Sequence, residues 1–136
     1  MKPLWTTVLG LVVASALGVW LFLTYEPRSA IPEDVARSYS RNQKIGTLRP
    51  GWVTRSVGRD PDRTTRIVHR VEVAAEIAGD LLIADRGDRE ERVGEVVCPE
   101  ADHEIWEQLT SRQDIEVALF SEQGDFAVVS CRSAVR

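Results

Sequence analysis

The most conspicuous pattern along the chain is one unbroken apolar run. Leu4 to Tyr25, LWTTVLGLVVASALGVWLFLTY, holds 22 residues without a charge. As a helix rising ~1.5 Å per residue it would reach about 33 Å, enough for a hydrocarbon core of ~30 Å. Trp5 at one end and Trp20 and Tyr25 at the other would set amphipathic rings at the two interfaces. Glu26-Pro27-Arg28 ends the run with charge and a missing amide donor. The expectation is a single transmembrane helix over 4–25 behind a tail of residues 1–3. The run is longer than the ~7–15 apolar residues of a cleaved signal peptide, and no small-x-small site follows it, so an uncleaved anchor is expected. Gly10, Ala14 and Gly18 place a small residue at every fourth position. Such a face lets another membrane protein's helix, or a second copy, approach closely.

Residues 26–50 read as a connector containing a short helix over about 32–44. Pro32-Glu33-Asp34 suits a first helical turn, Val35 and Tyr39 share a side, and Arg41 and Lys44 lie near the far end. Arg49-Pro50-Gly51 is a turn signal. From Gly51 onward the period changes to two. Trp52–Val57 reads as a strand, and Thr65–Ile77 alternates Ile67, His69, Val71, Val73 and Ala75 against Arg70 and Glu72. Leu81–Ala84 and Val93–Val97 read as further short strands on either side of the charged turn 85–92. A helix is expected from Pro99, with Ala101, Ile105 and Leu109 at spacing four and Trp106 beside them. Ile115–Phe120 and Phe126–Cys131, joined by a turn at 122–125, read as a closing hairpin.

Three or four strands, a helix and a final hairpin give residues 51–136 the look of a small β-rich α+β domain. Over about 51–132 the order resembles that of the OB-fold, a five-stranded barrel with one helix between its third and fourth strands. A generic α+β sandwich fits the same pattern. Some membrane-tethered OB-folds are haem chaperones, but their C-terminal histidine–tyrosine signature is missing here, so no residue carries over.

Composition adds a charge asymmetry. From Arg28 to Arg70 there are ten Lys/Arg against four Asp/Glu, and from Val71 to Arg136 six against sixteen. The basic part can rest on anionic membrane lipid, or the two parts can be faces of one domain that neutralise each other. The acidic half excludes nucleic acid as a partner. Topology signals conflict. Arg28, Arg37, Arg41 and Lys44 follow the run and argue for a cytoplasmic domain. A short Lys2-bearing tail, one span and a soluble domain is the layout of an exported protein, and the expectation is an inner (cytoplasmic) membrane anchor with an exported domain.

Cys98 and Cys131 end two strands that neighbour each other in an OB-like barrel, so they form a candidate disulfide. Neither has a cysteine or histidine at metal-ligand spacing. His69 falls on the apolar face of a strand and reads as a hydrogen-bonded core residue. His103, between Asp102 and Glu104, reads as a solvated helix position. The acidic stretch 85–92 lacks the calcium-loop pattern, and its Arg86-Gly87-Asp88 string is an ordinary turn. No phosphate loop, nucleophile elbow, haem-attachment site or zinc-protease motif occurs. The chain therefore reads as a non-enzyme without cofactor, a single-pass accessory subunit of an envelope membrane complex whose soluble domain binds or braces a protein. The rival reading is a tethered OB-like carrier of a small molecule, glycan or haem.

Overall fold

The two stretches that alternate most regularly, around Ile67 and Ile115, form the centre of an open five-stranded sheet. In this computed structural model residues 13–20 and 30–135 are described. The chain runs α1 (Glu33–Asn42), β1 (Gly46–Arg49), β2 (Trp52–Arg59), β3 (Arg66–Val73), α2 (Ala75–Ile83), α3 (Arg86–Val96), α4 (Ile105–Gln108), β4 (Asp114–Ser121), β5 (Gly124–Ser130) and α5 (Cys131–Ala134). Spatial order follows sequence order, β1 to β5. β1–β2, β2–β3 and β4–β5 pair antiparallel, while β3 and β4 pair parallel. β3 and β4 are joined through three intervening helices, the long crossover that a parallel pair needs.

Two expectations are corrected. The first is the transmembrane anchor over 4–25. Among the described residues no helix is long and apolar enough to cross a membrane. Of the expected span, residues 13–20 are described, as helix, and 4–12 and 21–25 lie outside the described residues. The second is the OB-like barrel. The sheet is open and carries a parallel pair, and the segments read as strands at 81–84 and 93–97 lie in or directly after α2 and α3. Ala75, Ala78, Gly79 and Leu82 recur at helical spacing, and that period outcompetes the short apolar run Leu81–Ala84. The long helix expected from Pro99 is a single turn, Ile105–Gln108, which still buries Ile105 and, just past its end, Leu109.

The helices cover one face of the sheet. That face presents Trp52 and Thr54 of β2, Ile67, His69, Val71 and Val73 of β3, Ile115, Val117 and Leu119 of β4 and Val129 of β5, all buried. Ile31, Ala36 and Tyr39 join the same core, so α1 is part of it. Ser40 Oγ donates to the Val57 carbonyl at 2.7 Å and Arg59 to the Ile31 carbonyl at 2.9 Å, fastening α1 to β2. Pro50-Gly51 turns β1 into β2. Gly51 sits at φ +82°, which favours glycine, and a Cβ there would lie 2.5 Å from Ile77 Cδ1 and push that side chain's tip aside.

The opposite face is lined by paired charges. Arg55 meets Glu72, Arg63 and Arg66 share Glu116, and Arg70 meets Asp125 while lying 5.0 Å over the Phe120 ring. Several arginines of the basic first half are thus matched by acids of the second. Such exposed pairs are worth ~0–1 kcal/mol each and chiefly keep this face in water.

Candidate interaction site

Three groupings gather the polar and apolar residues that can do something other than fill the core. The first is aromatic. α1 carries Tyr39 over β3, where its hydroxyl lies 3.0 Å from His69 Nε2. The His103 ring packs edge-on against Tyr39 at 6.1 Å, and its Nδ1 accepts the Ile105 amide at 3.1 Å. Both histidines of the chain therefore meet one tyrosine. His103 is not the solvated helix residue expected; it precedes the short α4 and serves as an acceptor for it. Burial alone pushes His69 down to about 4 and holds the Tyr39 hydroxyl well above its ordinary range. Both are neutral at pH 7 and turned on each other, and the space beside Tyr39 and His103 is only ≈ 20 Å³. That is room for about one water. The arrangement braces α1 against β3.

The second grouping fixes the C-terminus. Cys98, just past α3, is joined to Cys131 at the start of α5, with Cα atoms 5.4 Å apart. The two are not on neighbouring strands. They meet because α5 folds back onto α3, where Gly94 leaves only 3.1 Å between an added Cβ and Ala134 Cβ. Asp114 reinforces this corner. Its carboxylate accepts from the Ile115 and Arg132 amides at 2.7 and 3.0 Å and from Ser130 Oγ. Arg132 donates to the Thr110 and Gln113 carbonyls and stacks 5.1 Å over Trp106. Among the described residues every partner of Asp114 belongs to this corner, so its part is structural.

The third grouping is open to solvent. Ala75, Ala78, Gly79 and Leu82 of α2 face Ser121, Gln123, Gly124, Asp125 and Phe126 of the β4–β5 hairpin across a cleft of ≈ 410 Å³. Leu82 is 55% and Ile83 86% exposed at its end. Sequence reading missed this site because it assigned Leu81–Ala84 to a strand. The helical spacing of Ala75, Ala78 and Leu82 was the available signal.

The remaining expected site residues fall elsewhere. Trp5, Gly10, Tyr25 and Arg28 lie outside the described residues. Ala14, Gly18 and Trp20 are exposed on the 13–20 helix, and nothing lies within 4 Å of a Cβ placed on Gly18. Arg37 pairs with Glu33 one turn away, while Arg41 and Lys44 are exposed at the end of α1 and just beyond it. Arg86-Gly87-Asp88 occupies the first turn of α3, which Asp85 caps by accepting the Asp88 amide at 2.8 Å. Among the described residues no cluster of histidine, cysteine and acid could hold a metal ion. No protein family, curated protein or solved structure matches the chain.

Proposed function

We propose that this is a non-catalytic domain that binds or braces a protein partner through the cleft between α2 and the β4–β5 hairpin. The observation that carries the reading is α2 itself. Seven of its nine residues are uncharged, and apolar side chains lie on both its buried side (Ala78, Leu81) and its exposed side (Leu82, Ile83). A surface helix ordinarily turns a polar face to water. Full burial of a large aliphatic side chain is worth ~1.5–3 kcal/mol, and a partner covering them would recover most of that at Ile83 and about half at Leu82. The Cys98–Cys131 disulfide supports an oxidising compartment outside the cytoplasm as the place of action.

The full chain, tagged and recovered from its own cells, should bring down one protein in stoichiometric amount. Leu82→Asp should abolish that recovery at an unchanged melting temperature, whereas Arg55→Ser on the opposite sheet face should not affect it. Equal recovery with Leu82→Asp would end the proposal.

A further inference from the structure

The two edges of the sheet are unlike. β1 has four residues, a bulge between Thr47 and Arg49, and Pro50 directly after it. Short length, a bulge, charge and proline are the devices that keep an edge from pairing. β5 has fewer of them: one charge, and a bulge at Phe126 near its start that leaves Ala127–Ser130 in regular pairing with β4. Gly124–Ser130, GDFAVVS, runs seven residues with neither lysine nor proline, and its single charge, Asp125, is at the beginning. Val128 is 62% exposed on it. Among the described residues, 125–129 make no backbone hydrogen bond apart from the β4 ladder. Alternate amides and carbonyls of β5 therefore point outward without a partner.

From this edge we infer that β5 accepts an extended segment of another protein as a sixth strand, and that the segment is basic with an apolar anchor. The inference rests on the cleft reading above and names its occupant. Geometry ties the two together, since Gly124, Asp125 and Phe126, which begin β5, also line the cleft. A strand laid along β5 would extend the cross-sheet row Arg70–Ala118–Val128, and one of its apolar side chains would enter between Leu82 and Phe126. Backbone pairing supplies affinity in this mode, and alternate side chains supply selectivity.

Charge selects the partner. Glu76 and Asp80 are exposed one turn apart on α2, and Glu122 is exposed at the hairpin turn. None of the three has an ion pair among the described residues. A second copy would bring the same acidic surface, since Val71–Arg136 holds six Lys/Arg against sixteen Asp/Glu. A segment carrying lysine or arginine is attracted instead, steered from beyond contact at low salt.

The probe is a labelled nine-residue peptide of alternating valine and arginine, with a valine–glutamate peptide as control, titrated onto the full chain in fluorescence anisotropy. The basic peptide should bind at least tenfold tighter, and amide exchange should slow at the outward-facing positions among residues 126–129. Val128→Lys places a repelling charge on an exposed position and should weaken binding tenfold or more, whereas Val128→Glu should not weaken it. Equal binding of the two peptides, or insensitivity to Val128→Lys, overturns the inference. So does a concentration-dependent dimer with residues 126–129 protected, which would make the occupant a second copy. The two readings fail separately. Protection confined to α2, with binding lost in Leu82→Asp, retains the cleft and refutes strand addition. Recovery of a partner that is lost with Val128→Lys but kept with Leu82→Asp does the reverse.

Discussion

Opening the Cys98–Cys131 bond is the perturbation whose size follows most directly from the fold. The two residues are 33 positions apart. Chain-entropy reasoning for a loop of that length gives about 12 cal/mol/K of lost unfolded-state freedom, or ~4 kcal/mol at 25 °C. A domain of roughly 100 residues loses ~4 °C of melting temperature per kcal/mol, so the drop should be ~15 °C. The cysteines can be removed or reduced, and comparing the two separates the cross-link from the side chain. Cys131 is fully buried, so Cys98→Ala with Cys131→Ala also loses packing at α5. Reducing the wild-type protein loses only the bond. Calorimetry of oxidised, reduced and doubly substituted protein should give the highest transition for the first and a drop of ~15 °C for the second, with the third at or slightly below the second. Unfolding the untreated protein in the presence of a thiol label should find no free thiol. A drop of less than about 4 °C on reduction would mean that Asp114 and Arg132 already hold α5 without the bond, and the loop-entropy argument would be refuted.

Two further predictions test the core. His69 is held near 4 by burial, against 6.5 unfolded, so below pH 6.5 the unfolded chain binds more protons than the native one. Stability should fall as pH drops from 6.5 towards 4 by up to ~3 kcal/mol, and His69→Gln should flatten that slope in urea titrations from pH 7.5 to 4. Gly51→Ala should cost ~2 kcal/mol, since it meets both a φ of +82° and Ile77, and a thermal midpoint within 2 °C of wild type would contradict this.

The sheet was legible wherever alternation met a helix-covered face. β3 and β4 bury every second residue through most of their length, so the period of two in Ile67–Val73 and Ile115–Leu119 transmits directly into structure. α1 was legible from its ends, with acids in its first turn and Arg41 in its last. What failed was the middle of the chain. Leu81-Leu82-Ile83 is a run too short to reveal a period, and the strand reading of this run and of Val93–Val97 converted a helical crossover into extra strands. That error also hid the parallel pair, because strands in place of α2 and α3 remove the helical crossover that connects β3 to β4.

The same ambiguity explains why the cleft was hidden. An apolar side chain in a helix declares itself by periodicity only when one side of the helix is polar. α2 has apolar residues on its buried side and again at Leu82 and Ile83, so its pattern is blurred at the positions where a partner would sit. A surface that must be buried twice, once in folding and once in assembly, carries a weaker helical signal than one buried only in folding. β5 was read correctly as a hairpin strand, and what its pattern did not show is the exposure of Val128 between Ala127 and Val129. A run of three apolar residues reads as a strand covered on both faces, whereas here one face and one edge are open. The exposed apolar residues that blurred α2, and Val128, whose exposure the strand pattern of β5 did not reveal, are the ones that the binding proposal uses. They give it a stringent requirement: a polar residue at Leu82 or a lysine at Val128 should sharpen the sequence pattern, leave the fold intact, and remove the interaction.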